Sequence, residues 1–164
     1  MSVSLMILSV FLTIFSGVAV FVIGQIALKL FIDPIHDFKK VIGEISNCLI
    51  NNAGNYSEPE KLSVEKQGEV AKALLGLSAK LSAQVSIIPL YSKLSRIYSC
   101  PSIDNVVVAS KNLIGISNAM RSSRPNNGIL NVYSAQRVQD ALGIHNESER
   151  LLPELERTFL NGGD

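Results

Sequence analysis

His36 stands between Asp33 and Asp37. An imidazole with carboxylates inside one helical turn is the pattern that general-base or metal chemistry would need. Zinc sites take three or four ligands, however, and neither carboxylate has a second histidine at helical spacing, so a solvated histidine is expected. His145, followed by Asn146 and Glu147, reads as a loop residue. Cys48 and Cys100 form no Cys-x-x-Cys pair and have no histidine cluster beside them. They are expected to be small, reduced, buried side chains. Gly115 and Gly143 stand alone, and neither a GxxxxGK(S/T) phosphate loop nor a GxSxG nucleophile elbow occurs. Arg121 and Arg124, in the apolar-free stretch RSSRPNNG, are the two charges best placed to clamp a phosphate or an acidic partner. Lipid-recognising patches usually gather four or more basic residues, so solvated surface charge is expected there. The sequence thus assigns no catalytic, cofactor-binding or metal-binding residue.

The elements that would position any of these groups are organised around Val3 to Leu28. This run of 26 residues carries no charged side chain. As a helix it spans about 39 Å, more than the roughly 30 Å hydrocarbon layer of a bilayer. Ser9, Thr13 and Ser16 can return their hydroxyls to carbonyls of the same helix, which suits an apolar solvent. A secretory signal would have a basic start and a shorter apolar core, so a retained anchor is expected. Lys29, Lys39 and Lys40 follow the run and no Lys or Arg precedes it. The charge rule then places the N-terminus outside and the rest in the cytoplasm. Thr13, Gly17 and Gly24 give the span one small-residue face of the kind that lets two membrane helices approach.

Beyond the span, Phe31, Ile35, Phe38, Ile42, Ile45 and Leu49 repeat at spacings of 4, 3, 4, 3 and 4. That is a heptad seam. Asp33-Pro34 interrupts it, and Asp as N-cap with Pro in the first turn suits a restarted helix and a bend at the bilayer. The helix runs to about Asn52 and a polar loop follows over 54–61. A long helix from Pro59 or Leu62 to Tyr98 carries the stripe Val70, Leu74, Leu77, Leu81, Val85, Ile88 and Tyr91, with a bend at Pro89. Its many small residues place it at the centre of a bundle. A helix from Ser102 buries Ile103, Val106, Val107, Leu113, Ile114, Ile116 and Met120. A loop over Arg121–Gly128 leads to a helix at Asn131–Leu142, capped by Gly143, and to a last one over Glu147–Leu160. Only Val106-Val107-Val108 is β-prone. The fold expected is all-α: one N-terminal transmembrane helix continuing into a cytosolic bundle of about four to five helices. The divisions are an anchor over 1–30, a juxtamembrane amphipathic helix over 31–53 and a helical domain over 54–164.

The stretch VIGQIALKLFIDPIHDFKKVIGEI, residues 22–45, resembles a group of small uncharacterised bacterial membrane proteins with one N-terminal span and a short helical tail. The similarity extends to Lys111–Asn118. The resemblance implies a bacterial inner membrane and brings no activity with it.

Fifteen basic and fourteen acidic residues give a net charge of +1, which excludes the basic excess of a nucleic-acid surface. With no Trp and only four Tyr and six Phe, an aromatic ligand cage is not expected. The function expected is that of a single-pass, membrane-anchored helical interaction or scaffold protein, self-associating and non-enzymatic. Its partners would be the bilayer and a second copy or another membrane protein. Two alternatives remain open: an oligomerising effector that perturbs the bilayer, and a lipid-related enzyme, which would need a polar pocket near His36, Tyr91 or Asn112. Asn55 and Asn146 head Asn-x-Ser sequons that matter only in a eukaryotic lumen.

Overall fold

The computed structural model describes residues 3–122 and 126–144. These form an all-helical chain headed by a long apolar helix, with no strand among the described residues. Helix α1 is Val3–Ala27, and α2 is Asp33–Asn51. Between them Leu28–Ile32 form one π turn. The backbone therefore stays helical across Asp33-Pro34, and the expected restart is not observed. Asp33 has helical dihedrals and is no N-cap; its N–H reaches back five residues to the Leu28 carbonyl. The reason is local. Pro34 has no N–H for the carbonyl four residues before it, and its ring crowds that carbonyl. Widening the preceding turn relieves both without ending the helix. Lys29 and Asp33 close an ion pair of 3.0 Å across that turn.

The seam of α2 is real, and it is occupied by the chain itself. Ile35, Phe38, Val41, Ile45 and Leu49 are buried in the common core, with Ile42 only half-buried at its margin. The expected loop over 54–61 is instead a short helix α3, Ala53–Ser57, and a 3-10 turn, Pro59–Lys61, with Tyr56 and Pro59 buried. Helix α4, Val64–Ile87, begins at Ser63, whose hydroxyl accepts the Lys66 N–H at 3.3 Å. It runs back along α2, with the Lys80 ammonium 2.9 Å from the Glu44 carboxylate. Pro89 does more than bend it. Ile88, the residue before the proline, is driven into the extended region, Leu90 turns left-handed at φ 52°, and a separate helix α5, Tyr91–Ile97, leaves at 101°.

Helix α6, Ile103–Ala119, starts at Ser102, whose hydroxyl accepts the Asn105 N–H at 3.2 Å. It buries Val106, Ala109, Leu113, Ile116 and Met120. Ile103, Val107 and Ile114, expected inside, are exposed, while Ser110 and Ser117 are buried instead. Helix α7, Asn127–Leu142, begins four residues before the expected Asn131, and Gly143 (φ 69°) caps it as expected. There the Ile144 N–H bonds the Gln139 carbonyl at 2.9 Å, a left-handed closure that glycine adopts without penalty. Helices α2, α4, α6 and α7 pack as a bundle in which α4 lies between α2 and α6, and α6 between α4 and α7. Helix α4 keeps one side bare, with Ala73, Gly76, Ala79 and Ala83 exposed, so it is flanked on two sides only. The helix expected over Glu147–Leu160 lies outside the described residues, as do His145, Asn146 and Arg124.

Candidate functional site

Two regions hold the polar groups that could act on another molecule: the helix interfaces and the end of the bundle nearest α1. At the α4–α6 interface the serines join helix to helix. Ser78 donates to the Ser110 carbonyl at 3.1 Å, Ser82 and Ser110 share a hydroxyl contact at 3.0 Å, and Ser117 donates to the Ala71 carbonyl at 2.8 Å. Asn131 does the same for α7, donating its amide to the Tyr56 carbonyl at 3.0 Å. Asn127 donates to the Ala119 and Ser122 carbonyls at 3.1 and 2.6 Å. Among the described residues no buried side-chain N or O lacks a hydrogen bond. These groups position helices, and none is left pointing at a ligand.

Near α1, an open groove of about 370 Å³ lies between α2 and the segment joining α5 to α6. Lys39, Ile42, Gly43 and Ser46 form one wall, Ser99, Cys100 and Pro101 the other, and Leu142 and Ile144 the floor. Its shape comes from the αL residue Ser99 (φ 50°), which lets the Cys100 N–H return to the Ser95 carbonyl at 2.8 Å and turn the chain toward α2. Burial pushes the Cys100 thiol above its ordinary pKa, and the nearby Lys39 ammonium opposes this without cancelling it. The thiol that would serve as a nucleophile is thereby held protonated. Cys48, in the last turn of α2, is also raised by burial, against the Asn52 amide that donates to its sulfur at 3.7 Å.

The residues singled out in the sequence are not brought together. His36 and Asp37 are exposed on α2, away from the groove lining. Tyr91 is buried, meets Phe38 edge to face at 5.5 Å, and donates its hydroxyl to the Pro101 carbonyl at 2.6 Å. Burial drives its pKa well up. Asn112 returns its amide to the Val108 carbonyl of its own helix at 2.8 Å. Arg121 is exposed. No group of three or more His, Cys, Asp or Glu side chains able to hold a metal occurs among the described residues. Sequence reading missed Tyr56 and Asn131, whose only local signal was an aromatic residue inside a polar stretch and an asparagine inside a helix.

One helix, α1 with its continuation into α2, is long and apolar enough to cross a membrane, and none of its apolar window is buried by the rest of the chain. No protein-family model matches the chain, and no curated protein or solved structure proves similar to it.

Proposed function

We propose that this chain is a single-pass protein of a bacterial inner membrane, with the N-terminus outside and the helical bundle in the cytoplasm. It acts by binding, as an interaction or scaffold module that self-associates, and it performs no catalysis. The observation that carries this reading is the contrast within one continuous helix. The apolar residues of α2 are met by the chain's own core, whereas those of α1 are met by nothing. Lipid is the solvent that such a bare apolar helix requires. Self-association then falls to the span. Thr13, Gly17 and Gly24 lie on one face of α1, and a Cβ built at Gly17 or Gly24 meets no atom within 4 Å. The Thr13 hydroxyl already returns to the Ser9 carbonyl at 2.9 Å, so the face is sterically open and polar only at its own backbone.

The test is the mass of the full-length protein in mild detergent, with co-purifying proteins identified. A discrete homo-oligomer that becomes monomeric in the Gly17→Leu, Gly24→Leu variant is expected. A monomer that carries one stoichiometric partner would replace self-association by an adapter role. Release of the chain from membranes by alkaline carbonate would overturn the anchor.

A further inference from the structure

The end of the bundle nearest α1 carries a second apolar surface that the chain leaves uncovered. Antiparallel packing sets its level. Lys80 pairs with Glu44, and further toward α1 the Tyr91 ring meets Phe38. The turn from α4 into α5 therefore lies at the height of Phe38, six residues or about 9 Å along the axis from Ile32. Bare apolar surface on the span side reaches that same Ile32, which is 48% exposed. Helix α5 leaves α4 at 101° and so lies across the end of the bundle instead of along it. Its buried side, Tyr91 and Ser95 with the preceding Ile88, faces the core. Its opposite side presents Leu90, Lys93 and Ile97 at spacings of three and four, Leu90 at 63% and Ile97 at 73% exposure. Ile87, at the end of α4, adds a further apolar side chain at 61%.

From Leu81 to Ile103 the chain holds Lys93 and Arg96 and no acidic residue, so α5 itself carries positive charge alone, with Asp33 and Asp37 on the neighbouring α2. Leu90 also occupies the left-handed region (φ 52°, ψ 34°), where glycine or asparagine would avoid the clash of a leucine Cβ. A bulky apolar side chain is thus held in an unfavourable backbone conformation and pointed at solvent, with nothing in the core gained by it.

We infer that the outer face of α5, with Ile87 and Leu90, is a second membrane contact that inserts at the headgroup–acyl boundary of the same leaflet the span leaves. Lys93 and Arg96 lie there against anionic lipid phosphates. Apolar side chains beside basic ones on a helix parallel to the surface are the composition of interfacial membrane helices. The headgroup layer is about 5–8 Å deep, and a leucine or isoleucine side chain covers most of the remaining distance to it. Anchored at two points, the bundle is held at one tilt against the bilayer instead of swinging on α2. This inference rests on the anchoring proposed above, and the test separates the two.

Single-cysteine versions of the full-length chain (Cys48→Ala and Cys100→Ala background), with Leu90→Cys, Ile97→Cys, Phe15→Cys or Val64→Cys, are spin-labelled. They are reconstituted in phosphatidylcholine vesicles with and without phosphatidylglycerol. Labels at 90 and 97 are expected to collide with an aqueous nickel quencher about ten times less often than the label at 64, most clearly with the anionic lipid. Labels at 90 and 97 as accessible as the one at 64, with the label at 15 protected, would overturn the second contact and leave the anchor standing. A label at 15 open to the aqueous quencher would overturn both. Protection at 90 and 97 that disappears on dilution into excess lipid would assign the patch to a second copy and overturn the lipid assignment. Leu90→Gly gives an independent readout on an otherwise native chain. It is expected to hold or raise the melting temperature in detergent while amide exchange over 91–97 in anionic vesicles becomes faster. Unchanged exchange would overturn the proposal.

Discussion

One methyl group, added at two glycines, should have opposite effects on this bundle. Gly76 lies in mid-α4 with its Cα open; a Cβ there meets no atom within 4 Å. Gly76→Ala removes the entropic penalty of glycine in a helix and should stabilise by about 0.5–1 kcal/mol. Gly128, in the first turn of α7, has the same helical dihedrals available, yet its Cβ would land on the Ser57 carbonyl at the end of α3. Both atoms belong to backbone, so no side-chain rotation relieves the overlap. Either α7 tilts or α3 lifts, and the Asn131–Tyr56 bond three residues on lengthens with it. Overpacking costs about 1–3 kcal/mol, and a weakened buried hydrogen bond adds about 1–2. Setting the helix-propensity gain against these leaves a net loss of about 2–3 kcal/mol. For a chain of this size that lowers the melting temperature by about 4–12 °C, against a rise of about 1–4 °C for Gly76→Ala. Circular dichroism at helical wavelengths, on full-length protein in mild detergent, reads both. Equal melting temperatures for the two variants would refute the close approach of α3 and α7 and the placement of Tyr56 that depends on it.

Asn131→Ala removes the side-chain bond from α7 to the Tyr56 carbonyl and should cost about 1–3 kcal/mol, whereas Asn112→Ala, whose amide serves its own helix, should cost little; thermal melts compare them. Lys80 holds the Glu44 carboxyl below the ordinary carboxylate range, chiefly through their hydrogen bond. A lowered folded-state pKa adds stability that is fully present above the unfolded pKa and is lost as pH falls through the folded one. Glu44→Gln should therefore reduce stability at neutral pH slightly and flatten its fall on acidification, as urea melts between neutral and acid pH would record. Burial raises both cysteine thiols, so Cys48 and Cys100 should react with a disulfide reagent far more slowly in the native chain than after denaturation, and removing urea should restore the slow rate.

Much of this architecture is legible in the sequence because helical periodicity survives translation into packing. The seam Ile35, Phe38, Ile45, Leu49 is buried where the heptad spacing places it, and Val70, Leu74 and Leu81 face the core from α4. Ser102 acts as the cap that serine before a helix implies, whereas Ser63, expected inside its helix, caps α4 instead. What escapes a one-dimensional reading is whatever depends on a partner distant in the chain. Tyr56 is buried because α7 crosses it, and nothing near Gly54 or Asn55 announces that crossing. In α6 two rival stripes are available, and the partner helices choose the one with Ala109, Ser110 and Ser117, since their short side chains let backbones come close enough for serine-to-carbonyl bonds. Ile103, Val107 and Ile114 are left outside by that choice. Proline misleads in both directions. Pro34, read as a break, is absorbed by a π turn, and Pro89, read as a bend, ends its helix outright because the left-handed Leu90 follows it.

Of the candidate groups, His36 and Asp37 are exposed on α2, Asp33 is taken up by Lys29, and Cys100 lies off α2 beside the groove. What sets α1 apart from α2 is surface, not any chemical group. A helix whose apolar residues form one stripe can be satisfied by one neighbour, and α2 is satisfied in that way by its own chain. A helix apolar around its whole circumference needs neighbours on every side. For α1 a single partner protein would cover one face and leave the rest in water, where each exposed leucine, isoleucine or phenylalanine forgoes about 1.5–3 kcal/mol of burial. Lipid would cover every face at once, and would leave the Gly17–Gly24 side free to exchange acyl chains for a second helix at little cost. The seam of α2 is closed to that exchange, because opening it would unpack Phe38 and Leu49 from the core. With α1 in lipid and self-associating as proposed, substitutions away from its glycine side should be tolerated when they remain apolar, and those on the glycine side should alter association without altering the bundle.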